Sequence, residues 1–202
     1  MLVKPTRDRP AERRMATRLE IIKASWAIAR EQGLAQLTLR DVADRIGMRA
    51  PSLYGHFAAK NAIYDAMYQQ AWAECAAVMS AAAADLPPDP RAGLRKMART
   101  FFDFSVADPV RHQLMNQRTI AGFVPSAEAY APAVQTLACA TAALAGIGVA
   151  DPADVDLYVA LIGGLINAQL ANDPGGDRWG RLLDGAVDMF ADTVGLPPGI
   201  GE

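Results

Sequence analysis

Residues 37–64 read LTLRDVADRIGMRAPSLYGHFAAKNAIY. Thr38, with Asp41 three residues on, marks a helix start: the hydroxyl caps free N–H groups, and the acid sits where the macrodipole favours it. Val42, Ala43 and Ile46 give that helix an apolar face, and Gly47 ends it. A shorter helix is expected over residues 51–57, and it makes an odd core element. It has Pro51 at its start, Gly55 near its end, and polar Arg49, Ser52, Tyr54 and His56 along it. Two short helices joined by a Gly-containing turn of about four residues form a helix-turn-helix, whose second helix can enter a DNA major groove.

Working outward, every long segment reads as helix, and none shows strand alternation. Residues 1–14 are polar and rich in Arg and Pro, and read as a disordered basic arm. Thr17 with Glu20 is expected to open a capped helix. Its inner face would carry Leu19, Ile22, Trp26 and Ala29, and Gly33 would end it. A long helix follows from about 59 to 84, stopped by the proline-dense DLPPDPR (85–91). Asp108–Pro109 and Asp151–Pro152 each read as a cap followed by proline at the first helical position. Ser126 opens a helix that Pro132 should start or kink. Residues 117–126 read as a loop. The fold class is therefore all-α, with about nine helices.

The 202 residues are 51% hydrophobic but only 7% aromatic. Every apolar stretch is read as broken before about 18 residues, which predicts no membrane span. No apolar leader follows the first basic residues, so the expected location is cytoplasmic. Cys75 and Cys139 lack metal-ligand spacing and read as buried free thiols; no metal or cofactor is expected. The net charge of −2 hides an asymmetry. Residues 1–60 carry 12 Lys/Arg against 6 Asp/Glu, and the remainder 8 against 16. A basic head on an acidic body suits a protein in which only the head meets a polyanion. No carboxylate pair, Cys/His pairing or phosphate loop stands at catalytic spacing, so no enzymatic activity is expected.

Residues 15–75 resemble the DNA-binding domain of the TetR family of bacterial transcriptional regulators. The resemblance is carried by TRLEIIKASWAIAREQG and LTLRDVADRIGMRAPSLYGHFAAKNAIY, in which Leu53, Tyr54, His56, Phe57 and Lys60 match the family's Leu-Tyr-x-His-Phe and following Lys. It implies a DNA-contacting set of Thr38, Arg40, Arg49, Ala50, Ser52, Leu53, Tyr54, His56 and Lys60, with Phe57 as core. Two positions depart from the family pattern. Arg49 stands where a capping Ser is common, and Gly55 stands where a larger side chain is common.

The resemblance further implies that residues 76–202 hold a small-molecule pocket and a dimer interface. Met97, Phe101, Phe104, Met115, Phe123, Tyr130 and Asn167 are the pocket candidates, with Gln169 a further polar contact and residues 117–130 a cover for its mouth. Tyr158, Val159, Ile162, Ile166, Leu183, Val187 and Phe190 are the dimer candidates. Residues 151–170 are apolar around most of the helix, and Gly163–Gly164 would admit a second backbone. The implied function is a homodimeric repressor released from a palindromic operator on double-stranded DNA by a small apolar or aromatic effector. The alternative is a TetR-fold interaction protein or activator working through a protein partner.

Overall fold

The computed structural model describes residues 9–198. They form nine α-helices with no strand: α1 (Arg9–Gln32), α2 (Leu39–Arg45), α3 (Ala50–Leu53), α4 (Lys60–Ala84), α5 (Pro90–Val106), α6 (Pro109–Asn116), α7 (Ala127–Ile147), α8 (Pro152–Asn172) and α9 (Leu183–Thr193). Two single 3-10 turns, Leu34–Gln36 and Gly180–Leu182, complete the set.

Local chemistry explains most boundaries. Thr38, Asp89, Asp108, Ser126 and Asp151 each accept a backbone N–H at the start of their helix. Proline follows directly at 90, 109 and 152, where its missing N–H would have had no partner in any case. Pro132 lies inside α7 without ending it.

The first helix departs from the sequence reading. It begins at Arg9, so residues 9–14 are helical rather than irregular, and the part of the expected arm at 1–8 lies outside the described residues. Thr17 is an interior residue and caps nothing. The run RPAERRMA supplies proline in the first turn and then good helix formers, which carries the helix past the expected start. Leu19 is exposed; the inner face is Ile21, Ile22, Ala24, Ser25, Trp26, Ile28 and Ala29.

Two apolar cores result. One joins α1 to α4 and runs along α4 to Ala82, taking in Leu114 and Met115 of α6. The other joins α5, α8 and α9. Because α4 is continuous through positions 75 and 76, the expected division at that point falls inside a helix. Helices α7 and α8 also correct the sequence reading of apolar runs: both are long and apolar enough, by length and composition, to cross a membrane. Here each packs on other helices instead, α7 along α4 and α8 on α5 and α9.

Candidate nucleic-acid interface and ligand cavity

The polar face expected at residues 49–56 exists, on a shorter helix than expected. Regular α-helix covers only Ala50–Leu53, and turns continue to His56. A Cβ at Gly55 would sit 3.3 Å from the Ser52 carbonyl, so glycine lets the chain close tightly there. Leu53 is fully buried and Phe57 nearly so. Leu53 is therefore removed from the DNA-contacting set: it anchors α3 to the core and presents nothing to a base. Ala50 is half-buried against the same core, while Arg49, Ser52 and Tyr54 are exposed.

Arg49 occupies the N-cap with no capping side chain, and among the described residues it forms no ion pair. Arg40 is also exposed, with a loose pair to Asp44 at 3.8 Å. Arg45, by contrast, is committed to Glu31 through a two-pronged contact at 2.6 and 2.9 Å. Thr38 Oγ1 accepts from the Asp41 N–H and donates to the Asp41 carboxylate at 2.6 Å, so its hydroxyl proton is engaged. Lys60 donates to the Ala35 carbonyl at 3.2 Å and lies over the Tyr64 ring.

Sequence reasoning missed two residues of α1 that hold this surface. Arg14 donates to the Gly55 carbonyl at 3.1 Å, and Arg18 donates to the His56 carbonyl. The Arg18 guanidinium also stacks 4.1 Å from the Phe57 ring centre. Cations at these end-of-helix carbonyls suit the dipole, and they tie the orientation of α3 to α1. No local motif marks them; their partners are about forty positions away.

In the second half, a cavity of about 260 Å³ lies among α4, α5, α6, α7 and α8. Met97, Phe101, Tyr130 and Asn167 line it, as the sequence suggested. Phe104, Met115 and Phe123 do not. Phe104 lies under the Arg111 guanidinium, 3.6 Å from its ring centre. Met115 and Phe123 line a separate cavity of about 200 Å³ together with Gln117, Arg118, Ile120, Val124 and Pro125, so much of that loop borders the second space. Gln169 points away, accepting from the N–H groups of Trp179 and Gly180. Tyr158, Val159 and Ile162, expected at a dimer interface, line the larger cavity instead. So does His112, which is 3% exposed.

Burial of the His112 ring pushes its pKa below the usual histidine value, and the nearby Asn167 amide partly opposes this. In the unfolded chain the ring titrates near its ordinary 6.5. Between that value and the lowered folded one, the unfolded state binds more protons, so stability falls as pH drops through the window. Thermal unfolding from pH 7.5 to 5.5 should show a steeper loss of Tm for the wild type than for His112→Gln; parallel curves would contradict the assignment. The Cys75 thiol is buried and pushed up to about 12, which leaves it unreactive. Cys139 is only half-buried, against the expectation for it.

The dimer candidates need a further correction. Tyr158, Ile162, Ile166, Leu183, Val187 and Phe190 are buried within one chain, so none has surface to offer a second. Tyr158 and Phe190 pack on each other at 5.3 Å. Only Val159 is substantially exposed. A Cβ built at Gly163 or Gly164 would meet no other group within 4 Å.

A short uncapped helix with an exposed polar face, set on a buried Leu–Phe anchor after a glycine turn, defines a helix-turn-helix protein carrying a helical body with a cavity. Residues 21–67 match the family of bacterial regulatory proteins, tetR family. The chain is 39% identical over 54 residues to the class A tetracycline repressor protein from transposon 1721 of Escherichia coli. That match spans 27% of this chain and a quarter of the repressor's length. The fold is similar to that of the TetR family transcriptional regulator PfmR from Thermus thermophilus, with a TM-score of 0.63 at 18% identity over 84% of this chain and 96% of that one. It is similar also to the transcriptional regulator FadR from Bacillus subtilis in complex with stearoyl-CoA, with a TM-score of 0.63 at 16% identity over 85% and 96% of the two chains.

Proposed function

We propose that the protein is a DNA-binding transcriptional regulator that acts as a homodimeric repressor and leaves a palindromic operator when a small, mainly apolar effector fills the α4–α8 cavity. The observation that carries this reading is the division of labour at α3: Leu53 and Phe57 face inward, leaving Arg49, Ser52 and Tyr54 outward. Arg49, which forms no ion pair among the described residues, stands at the groove-entering end, placed for a guanine edge or a phosphate. Arg40 lies where backbone phosphates would run, with Lys60 and His56 beside the same surface. DNA as a partner is consistent with the cytoplasmic location expected above.

Titration of the protein into its own upstream DNA should show salt-sensitive binding. Arg49→Ala should weaken it by about 1–3 kcal/mol if the contact is to a base. If the contact is to a phosphate, the log–log salt slope should shrink by about 0.9 instead. Absence of salt-sensitive binding would overturn the proposal. The missing N-cap of α3 and Gly55, which offers no side-chain contact, favour the alternative of a protein-partner role, while Arg49, Tyr54 and Lys60 weigh against it; unchanged regulation by Tyr54→Phe and Lys60→Ala would select it.

Dimerisation would use the apolar stripes that remain outside. On α8 these are Leu157, Ala160, Gly164 and Ala171, and on α9 and the turn before it Leu182, Gly185 and Met189. Leu157 is 49% exposed and Met189 72%.

A physical link supports effector control. Helix α6 carries His112 and Asn116 into the cavity, and its capping Asp108 pairs with Arg30 of α1 at 2.6 Å. Helix α1 in turn holds the end of α3 through Arg14 and Arg18. An effector that moves α6 would thus shift the population of DNA-competent dimers. Arg30→Ala should leave operator affinity within about threefold while reducing the effector's influence on it, since the pair is half solvated and weak in itself. Full effector response in that variant would exclude this route.

A further inference from the structure

Two buried donors in the α4–α8 cavity close no hydrogen bond, and their surroundings determine what they require. Asn116 Nδ2 lies 3.3 Å from the His112 carbonyl and 3.2 Å from His112 Nδ1. A backbone carbonyl only accepts, so the Asn116 atom facing it is the NH₂ group. His112 Nδ1 therefore accepts too, and the neutral ring carries its proton on Nε2. That Nε2–H is buried and makes no hydrogen bond. The Asn167 amide stands nearby without closing one, and its oxygen accepts from Gln117 at 3.2 Å. The indole Nε1–H of Trp72, which can only donate, is likewise buried beside the same cavity and closes no hydrogen bond, with the Tyr68 hydroxyl nearby. Two hydroxyls there are already engaged. Thr136 Oγ1 donates to the Pro132 carbonyl at 2.8 Å, and the Tyr158 hydroxyl to the Leu94 carbonyl at 2.7 Å.

A buried donor left unmade is costly, so each of these two calls for an acceptor. The walls decide the acceptor's charge. Met79, Met97, Phe101, Leu144 and Ile162 supply apolar surface, and among the described residues no Lys, Arg, Asp or Glu lines the cavity. A carboxylate or phosphate brought here would lose its water and meet no cation. The long anionic ligand named with FadR therefore does not suit these walls.

We propose that the cavity takes a neutral, mainly apolar ligand bearing a carbonyl-type oxygen that accepts from His112 Nε2–H, with the Trp72 indole as second donor. This specifies the effector of the reading above and rests on it. The ligand is small, because about 260 Å³ falls just below the usual range of roughly 300–1,000 Å³ for ligand sites.

Three naphthalenes of nearly equal size test it: 2-acetylnaphthalene, 2-ethylnaphthalene and 2-naphthoate, titrated into the full chain at pH 7.5 and read by calorimetry. The ketone should bind about tenfold tighter than the hydrocarbon, with the carboxylate weakest. In Trp72→Phe and His112→Leu, each checked for folding by circular dichroism, hydrocarbon binding should persist while the ketone's advantage shrinks. The wild type labelled with ¹⁵N-histidine gives a readout that needs no variant. The His112 Nε2 signal should be that of a protonated nitrogen and should shift with the ketone but not with the hydrocarbon. Equal affinity for ketone and hydrocarbon would overturn the acceptor proposal while leaving the cavity a ligand site. Tightest binding by naphthoate would overturn its neutrality. Failure of all three to bind would overturn the effector reading and this proposal with it.

Discussion

Phe190→Ala is expected to destabilise the isolated protein by about 3–5 kcal/mol, a large share of the roughly 5–15 kcal/mol that holds a typical domain folded. Phe190 is 3% exposed and packs on Tyr158 inside the α5–α8–α9 core, so truncation leaves a cavity that the rigid helices cannot close. Met189, one position earlier, points outward. Met189→Asp combined with Leu157→Asp should leave the melting of the single chain nearly unchanged while separating the proposed dimer, as read by sedimentation. The two experiments distinguish a core residue from an interface residue on the same helix. If Phe190→Ala only dissociated a dimer and left the chain's own melting unaltered, the burial of α9 against α5 and α8 would have to be wrong.

The second large effect is expected at Phe57→Ala, again about 3–5 kcal/mol, but centred on the other core. The ring is 3% exposed beneath the Arg18 guanidinium, and with Leu53 it is what holds the four-residue α3 down. So short a helix has almost no stability of its own. Losing the anchor should therefore abolish operator binding although Phe57 touches no DNA. Hydrogen exchange should show early loss of protection at residues 50–60, while the α5–α8–α9 core keeps its own. Operator binding that survived Phe57→Ala would mean that α3 is held by something other than this anchor.

The helix-turn-helix was legible because its signals are local. Thr38, Gly47 and Pro51 act within a few residues of themselves, and the helix starts at Asp108, Ser126 and Asp151 work the same way. Thr17 shows where such reasoning fails. A capping pair is a signal only if the chain before it is not already helical, and RPAERRMA is a good helix. Leu53 shows a second failure. The family resemblance placed it in the DNA-contacting set, but on four residues a one-position difference in facing separates base contact from core.

The apolar faces of α8 and α9 were also visible in the sequence, but not what each face meets. Hydrophobic spacing identifies a stripe to be buried and is silent on whether its cover is the same chain, a second chain or a ligand. Packing resolved this for six of the seven dimer candidates, in favour of the chain's own core. It also brought His112 and Asn116 of α6 to the cavity with Trp72 of α4, some forty residues away, a meeting no spacing rule encodes.

What the sequence determined by itself was the class of fold, the position of the DNA-reading element and the caps that begin its helices, because these depend on interactions within one or two turns. Only the tertiary structure decided which side chains of those helices remain outside, which donors are stranded in the cavity, and which arginines steady α3. Those outcomes depend on contacts between distant segments, and burial is a property of the assembled surface rather than of any stretch of chain.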